Sequence, residues 1–158
     1  MKYIKPEFVA RVIREVEGID ILKKTRKKQV VLRRHIAHYI ARDLNKDASF
    51  EQIGRSISGK NHATVMHSCK TCKRWMETKT HSGKYLYHDE RMKILMLKHT
   101  VLERHENYIK SLEMKELMRN FEQTKKRIDL VPDEKVVESL MATMDMINEI
   151  NELKLRNE

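Results

Sequence analysis

A chain of 158 residues holds one ordinary domain, or a small domain with an appendage. Hydrophobic residues make up 40%, enough for a core, while only 4 Gly and 2 Pro are available for turns, which predicts a nearly all-helical protein. No run of about 18 apolar residues could span a membrane, and charges interrupt the N-terminal stretch where a secretory signal would need an apolar core. The two cysteines are therefore expected to be reduced thiols in a cytoplasm.

The net positive charge of the chain comes entirely from its first half. Residues 1–80 contain 19 Lys and Arg against 8 Asp and Glu, a net of +11, whereas residues 81–158 contain 14 against 15, a net of −1. An asymmetry of this kind predicts a polyanion-binding module at residues 1–80 joined to a segment with another role.

Two helices are predicted at the start of the chain. The first, at 7–16, has its apolar residues at helical spacing and ends at Gly18. A basic segment without acidic residues follows, and then a helix at about 29–45. The apolar stripe of that second helix leaves Arg34, His38 and Arg42 on the outside.

A helix-turn-helix pattern follows. Ser49 and Gln52 have the spacing of a capping box, which begins a short helix. The turn Ser58-Gly59-Lys60 leads to Asn61, the predicted N-cap of a helix from 62 to about 78. Two helices joined by such a turn form a helix-turn-helix, whose second helix usually enters the major groove by its N-terminal end. Its core face is predicted to carry Val65, Cys69, Cys72 and Met76, and its outer face Ala63, His67 and Lys70. Trp75, near the end of this helix, is predicted to fill the core rather than to stack on a base.

The stretch IGRSISGKNHATVMHSCK, residues 53–70, resembles the signature of the C-terminal DNA-binding domain of the bacterial replication initiator DnaA. The basic segment and long helix before it, residues 23–44, are similar to the same family. The resemblance runs from about residue 8 to residue 78. It implies an all-helical bundle related to the Trp repressor that binds double-stranded DNA at short boxes.

The resemblance also implies DNA-contacting residues. At the start of the recognition helix, base edges and nearby phosphates would be touched by Lys60, Asn61, His62, Ala63 and Thr64, with His67 one turn further along. Arg26 matches the arginine that enters the adjacent minor groove. Phosphates or bases would also be touched by the basic-segment lysines and by three residues of the second helix: Lys24, Lys27, Lys28, Arg34, His35 and Arg42.

Some residues depart from the family pattern. Asn61 stands where the family has Asp, Ala63 where it has a hydroxyl residue, and Ser58 where it has a first Gly. Asn61 has a donor and an acceptor that could pair bidentately with adenine, so we expect a related but shifted box. No Walker-type phosphate loop occurs in the sequence, and we therefore expect no ATP-driven helicase loading.

Other chemistry finds little support in the sequence. Cys69 and Cys72, with histidines nearby, could suggest zinc, but two cysteines on one helix face are expected to be core thiols, without a second pair of ligands. No paired acids and no Ser/His/Asp set stand out. The expectation is therefore a non-enzyme without metal or cofactor.

The second half is predicted to contain long helices. After a linker at 78–83, a helix runs from about 85 to 128, with a break or bend near residue 113 where its apolar stripe shifts. A second helix is expected between Asp133 and about residue 156, with heptad spacing. The stripe of the first helix comprises Ile94, Leu95, Lys98, Val101, Leu102, His105, Ile109 and Leu112. These helices could pack as a hairpin, against the first domain, or against another chain.

The sequence thus predicts a helix-turn-helix domain at 1–80 and a helical arm at 81–158, which forms a hairpin or coiled coil. We expect a non-enzymatic, sequence-specific double-stranded DNA-binding protein of the cytoplasm, associated with the nucleoid, in replication control or transcriptional regulation. The arm, residues 85–156, would mediate homodimerisation or bind another protein. The alternative is a structural or interaction protein whose basic half binds nucleic acid without sequence preference.

Overall fold

The computed structural model describes residues 3–128, 135 and 138–147. The described residues form the helices α1 (Pro6–Glu17), α2 (Lys28–Leu44), α3 (Phe50–Ser58), α4 (His62–Glu77) and α5 (His88–Ile128). Residues 138–147 are also helical. Within the described ranges no strand is formed apart from an isolated bridge between Lys79 and Tyr85, so the predicted all-α fold is confirmed.

The ends of these helices follow from local chemistry. Gly18 ends α1 in the left-handed conformation, at φ 62°, where a side chain would be strained. Ser49 and Gln52 form both hydrogen bonds of the predicted capping box at the start of α3. Asn61 caps α4 through its side chain. The predicted bounds of α1 to α4 are thus met to within one residue.

The chain divides into two compact units, Met1–Tyr108 and Ile109–Glu158. The first unit contains α1 to α4 around one core, with Ile13, Ile36, Ile40 and Ile57 almost completely buried. Trp75, at 8% exposed, is the core residue that the sequence predicted.

The two cysteines lie among the core side chains as free thiols, Cys72 buried and Cys69 half-buried. Burial raises the pKa of Cys69 to about 11, and burial also raises the pKa of Cys72. A raised pKa leaves both thiols in the protonated form, which is the less nucleophilic one. Among the described residues, no three histidine, cysteine or acidic side chains lie together as a metal site.

The first part of α5 belongs to the first unit. Ile94, Leu97 and Val101 are buried in the same core. Ion pairs fix the helix further: Lys93 to Glu17 at 3.0 Å, Lys98 to Asp43 at 2.7 Å and Arg104 to Glu15 at 2.7 Å. The compact unit therefore extends beyond residue 80, and the functional division at that residue stays a prediction.

The stripe predicted for α5 is partly wrong. Leu95, which the predicted stripe includes, is 37% exposed, whereas Leu97, which it omits, is buried. Of the predicted break or bend near residue 113, the break is wrong, because α5 is one helix from His88 to Ile128, and the bend stays a prediction. Ile94, Leu97 and Val101 face a neighbouring core, while the large apolar side chains of the distal part of the helix are exposed.

The second unit is described only in part. Distal α5 exposes Leu112, Met114, Leu117, Met118 and Phe121. The helical residues 138–147 expose Leu140, Met141, Met144 and Met146. The remainder of the predicted second helix, with Val137 and Asn151 of its heptad pattern, lies outside the described residues. No helix in the described ranges is long and apolar enough to cross a membrane.

Candidate nucleic-acid interface

The first turn of α4 is exposed and rigidly capped. The side-chain oxygen of Asn61 accepts a hydrogen bond from the backbone N–H of Thr64 at 3.0 Å and another from the Thr64 hydroxyl at 2.9 Å. Asn61, His62 and Ala63 are exposed, and Thr64 is half-buried. The predicted recognition residues thus share one accessible helix terminus.

The cap limits what Asn61 can offer a ligand. Its side-chain oxygen already accepts two hydrogen bonds, one for each lone pair. The bidentate pairing with adenine that the sequence suggested would need this oxygen in competition with those bonds, and it stays a prediction. The amide N–H groups take no part in the cap and can donate to guanine O6 or N7, adenine N7, thymine O4 or a phosphate.

The turn before α4 depends on close contact between α3 and α4. Gly59 adopts the left-handed conformation, at φ 60°, and ends α3. A Cβ atom placed on Gly54 would lie 2.1 Å from the Lys60 carbonyl oxygen, and this contact is with backbone rather than with a movable side chain. The backbone N–H of Lys60 donates to the Gly54 carbonyl at 3.0 Å. Gly54 therefore sets the angle at which α4 leaves the turn.

Arg34 anchors the basic loop, residues 23–27. Its Nε donates to the Ile21 carbonyl at 2.9 Å, and its Nη2 donates to the Lys23 carbonyl at 2.7 Å. The residue is only 7% exposed, and burial lowers its pKa from the ordinary arginine value. The prediction that Arg34 lies on the outside is wrong, because loop carbonyls replace the water its guanidinium would otherwise bind.

The cations of the basic loop are accessible. Lys24, Arg26 and Lys27 are exposed, as is Lys28 at the first position of α2. The first turn of α2 contains no acidic residue. The positive end of the α2 helix dipole and the neighbouring cations repel each other, and a bound anion reduces that repulsion. The loop and the start of α2 together therefore suit a phosphate-bearing ligand.

A buried polar network joins α4 to α2 and α3. The Ser68 hydroxyl donates to the Thr64 carbonyl at 2.9 Å, and its oxygen lies 2.6 Å from His35 Nδ1 and 3.0 Å from His38 Nδ1. A hydroxyl has one proton, so both histidines donate to Ser68 through Nδ1–H. His38 Nε2 then accepts from the Ser58 hydroxyl, at 3.2 Å.

His38 is completely buried in this network, so its predicted outward position is also wrong. Burial, and then the charges of His35, Arg34 and Lys60, lower the pKa of His38 to about 3. The residue is therefore neutral at physiological pH and serves the structure. Ser58 and Ser68 were not among the predicted site residues. Ser68 lies on the inner side of α4, four residues after Thr64. A polar residue at such an inner position is the feature of the sequence that could have identified it.

His35 is half-buried and lies edge-on to His67, with ring centroids 5.7 Å apart. Burial lowers the pKa of His35, and the neighbouring His67 and Arg34 lower it further. Because Arg34 and His35 are adjacent in α2, the basic loop and the recognition helix are held at the same stretch of that helix.

Arg42 closes the loop between α2 and α3. Its Nη1 donates to the carbonyls of Lys46 and Ala48, and its guanidinium lies 4.9 Å from the centroid of the Phe50 ring. The residue is half-buried rather than fully outside. Its predicted contact with DNA stays a prediction.

The arrangement of α3, a glycine-containing turn and an exposed, capped α4 defines a helix-turn-helix domain. Residues 7–72 match the family of the bacterial DnaA protein helix-turn-helix. This part of the chain is a helix-turn-helix domain of the bacterial DnaA type, and the resemblance seen in the sequence is confirmed.

Individual relatives agree with the family match. The chain is 44% identical over 61 residues to the chromosomal replication initiator protein DnaA of Lactobacillus delbrueckii subsp. bulgaricus, which covers 39% of this chain and 13% of the relative. It is 44% identical over 63 residues to the protein of the same name from Bacteroides thetaiotaomicron, covering 40% and 13%. With the initiator of Limosilactobacillus reuteri the identity is 49% over 49 residues, covering 31% and 11%. The alignments thus span about an eighth of these relatives. No solved structure matches the chain.

Proposed function

We propose that this protein binds double-stranded DNA in a sequence-specific manner through the start of α4 and the basic loop. The observation that carries this proposal is the exposed first turn of α4, which Asn61 caps. The His35–Ser68 contact holds this turn beside the cationic loop, and Arg34 holds the loop in place. A helix terminus that is already ordered loses little conformational entropy when it enters a groove.

The side chains divide the task by their chemistry. Asn61 and His62 face base edges in the major groove, and the Ala63 methyl group packs on a thymine methyl. Arg26 enters the adjacent minor groove, where a narrow A·T-rich segment attracts a guanidinium. The exposed lysines of the basic loop bind phosphates, which supply affinity without sequence preference.

The proposed biological role is supported by the names of the relatives, which are chromosomal replication initiators. Residues 1–80 would occupy an initiator-type box and so act in replication control or transcriptional regulation, at the nucleoid in the bacterial cytoplasm. The domain would act by occupying DNA and not as an enzyme. Arg34 and Arg42 contribute by holding loops in place rather than by offering free cations.

A competition experiment on the full chain tests this function. Fluorescence anisotropy would compare an initiator-type box with a scrambled duplex of equal length and composition. We expect the box to bind about a thousandfold more tightly, the lower range for specific DNA-binding proteins. As a control, Lys115→Gln removes an exposed cation from distal α5 and should leave both affinities unchanged. Equal affinity for both duplexes would contradict the proposal and favour non-specific binding.

Asn61→Asp tests how the first turn reads DNA. A carboxylate can accept the same two hydrogen bonds from Thr64, so the cap is kept while the amide donor is lost. We expect the preferred sequence to move toward the initiator-type box by about 1–3 kcal/mol at one or two base pairs. Selection from a randomised duplex library would measure the shift. Identical selected motifs would show that position 61 does not read bases.

An arm that mediates interactions is the second candidate function. The exposed apolar side chains of distal α5, among them Leu117, Met118 and Phe121, favour a role in homodimerisation or in binding another protein. If the scrambled duplex bound as tightly as the box, this role would become the main function of the chain.

A further inference from the structure

The segment between α4 and α5 is an ordered hairpin. Lys79 and Tyr85 form an antiparallel bridge. Within it, the backbone N–H of Thr80 donates to the Lys84 carbonyl at 2.8 Å, and that of Gly83 donates to the Thr80 carbonyl at 2.9 Å. Gly83 has a φ of 78°, which a residue with a side chain rarely adopts. Residues 79–85, which overlap the linker predicted at 78–83, are called the basic hairpin below.

The basic hairpin carries only positive or neutral side chains. Lys79, His81 and Lys84 are all exposed, and no acidic residue occurs between Thr78 and His88. Two cations lie over the Tyr85 ring, Lys79 Nζ at 5.1 Å and the Arg91 guanidinium carbon at 3.8 Å from its centroid. An exposed concentration of cations without a carboxylate partner suits an anionic ligand.

Two contacts hold the hairpin against the end of α4. Arg91 Nη1 donates to the Met76 carbonyl at 2.9 Å, and the backbone N–H of Leu86 donates to the Thr78 carbonyl at 3.0 Å. The backbone that carries the two lysines is therefore already ordered, which lowers the entropic cost of binding.

The hairpin continues the exposed face of the recognition helix. Ala63, His67, Lys70 and Arg74 are exposed and recur at helical spacing along α4. The Arg74 guanidinium carbon lies 5.8 Å from the centroid of the Tyr87 ring, just beyond the hairpin. With 16 residues, α4 is about 24 Å long. Its two ends are therefore separated by less than one turn of B-DNA, which is about 34 Å.

We propose that the basic hairpin is a second DNA-contacting element, in which Lys79 and Lys84 bind phosphates of the duplex that flanks the box. This inference rests on the proposed DNA binding and deepens it. DNA is favoured over other polyanions because the hairpin is attached to the helix whose first turn faces DNA. In addition, the exposed side chains between them are neutral or basic apart from Glu77, whose carboxylate lies 3.9 Å from Lys73 Nζ. Phosphate contacts of this kind add affinity and orientation but no sequence preference.

The test uses the full chain with Lys79→Gln/Lys84→Gln and, as a matched control, Lys79→Arg/Lys84→Arg. Binding would be measured against salt concentration on the box alone, on the box flanked by one helical turn, about 10 base pairs, at each side, and on a scrambled duplex of the longer length. Thermal unfolding followed by circular dichroism would establish that both variants fold.

On the two longer duplexes, the glutamine variant should lower the slope of log K against log salt by about 1.8, which is about 0.9 for each lost phosphate contact. Its deficit relative to the unmodified chain should therefore shrink by about 12-fold between 50 and 200 mM salt. The arginine variant should keep the original slope, because a phosphate contact requires only the charge. On the box alone, the glutamine variant should bind as the unmodified chain does.

An unchanged slope on the longer duplexes would overturn the proposal. So would a loss of the preference for box over scrambled DNA, because it would show that the hairpin acts through α4. Binding of a polyglutamate peptide that needs both lysines, together with an unchanged DNA slope, would assign the hairpin to an acidic protein partner instead. If the unmodified chain shows no preference for the box, the proposed function fails, while the slope on scrambled DNA still tests the hairpin.

Discussion

Lowering the pH from about 7.5 to about 5 should destabilise the first unit through His38. In the folded protein the pKa of this imidazole is about 3, because it is buried and lies near the charges of His35, Arg34 and Lys60. In the unfolded chain an ordinary histidine has a pKa of about 6.5. Between these two values unfolding takes up a proton, so acid favours the unfolded state.

The size of the effect follows from the two pKa values. Above about pH 6.5 the imidazole is neutral in both states, and the full stability is present. Below that pH, the free energy of unfolding falls by about 1.4 kcal/mol per pH unit, and the loss continues down to the folded pKa of about 3. At about pH 5 the loss from His38 alone is about 2 kcal/mol. Burial also lowers the pKa of His35, which adds to the loss in the same direction.

Glu17 should act at lower pH than His38. Burial opposes ionisation of its carboxyl group, but hydrogen bonds and ion pairs with Lys93 and Arg33 outweigh burial and lower its pKa from 4.5. Its contribution to stability is therefore present above about pH 4.5 and is lost as the pH falls below that value. Measurements between about pH 7.5 and 5 thus separate the histidine effect from this carboxylate.

The variant His38→Gln isolates the contribution of His38. Urea denaturation followed by circular dichroism would give the free energy of unfolding at several pH values in this range. We expect the variant to be less stable at about pH 7.5, because its bonds to Ser58 and Ser68 are disturbed. Its further loss on acidification should be about 2 kcal/mol smaller than that of the unmodified chain. The control His99→Gln removes an exposed imidazole from α5 and should keep the original pH dependence. Equal losses in His38→Gln and the unmodified chain would refute the reasoning.

Three further predictions concern packing and assembly. Gly54→Ala should destabilise the fold by about 1–3 kcal/mol or more in urea denaturation, because its Cβ would meet the Lys60 carbonyl; unchanged stability would mean that α4 shifts freely. A fragment ending at residue 108 should unfold cooperatively on heating, whereas a fragment ending at residue 80 should not, because the shorter fragment lacks the α5 residues that cover the core. Two equally stable fragments would contradict this role of α5. The full chain should sediment as a dimer or larger species. The fragment 1–108 should sediment as a monomer, because it lacks the large exposed apolar side chains of residues 109–158. A monomeric full chain would exclude self-association.

The helix ends could be predicted from the sequence because their causes are local. Gly18 and Gly59 adopt left-handed conformations that other residues avoid, and Ser49 and Asn61 bond to backbone groups three residues ahead. The basic loop and the exposed start of α4 could also be located, because their residue types follow one another along a short stretch of chain.

The roles of Arg34 and His38 depended on residues that are distant in the sequence. Polar side chains beside an apolar stripe are usually exposed, and this led to the prediction that both face outward. Arg34 bonds to carbonyls 11 and 13 residues away, and His38 bonds to serines 20 and 30 residues away. Only the packing of α2 against α3, α4 and the basic loop brings those partners within reach, so periodicity within one helix cannot reveal them.

The sequence by itself determined that α5 is a long helix, since no glycine or proline interrupts it. It did not determine which face of that helix is buried, because Leu95 and Leu97 are equally apolar. Two positions along a helix differ by about 200° around its axis, so the choice between them depends on where a neighbouring core lies. The tertiary structure supplies that core at Leu97, whereas Leu112, Leu117 and Phe121, further along α5, are exposed.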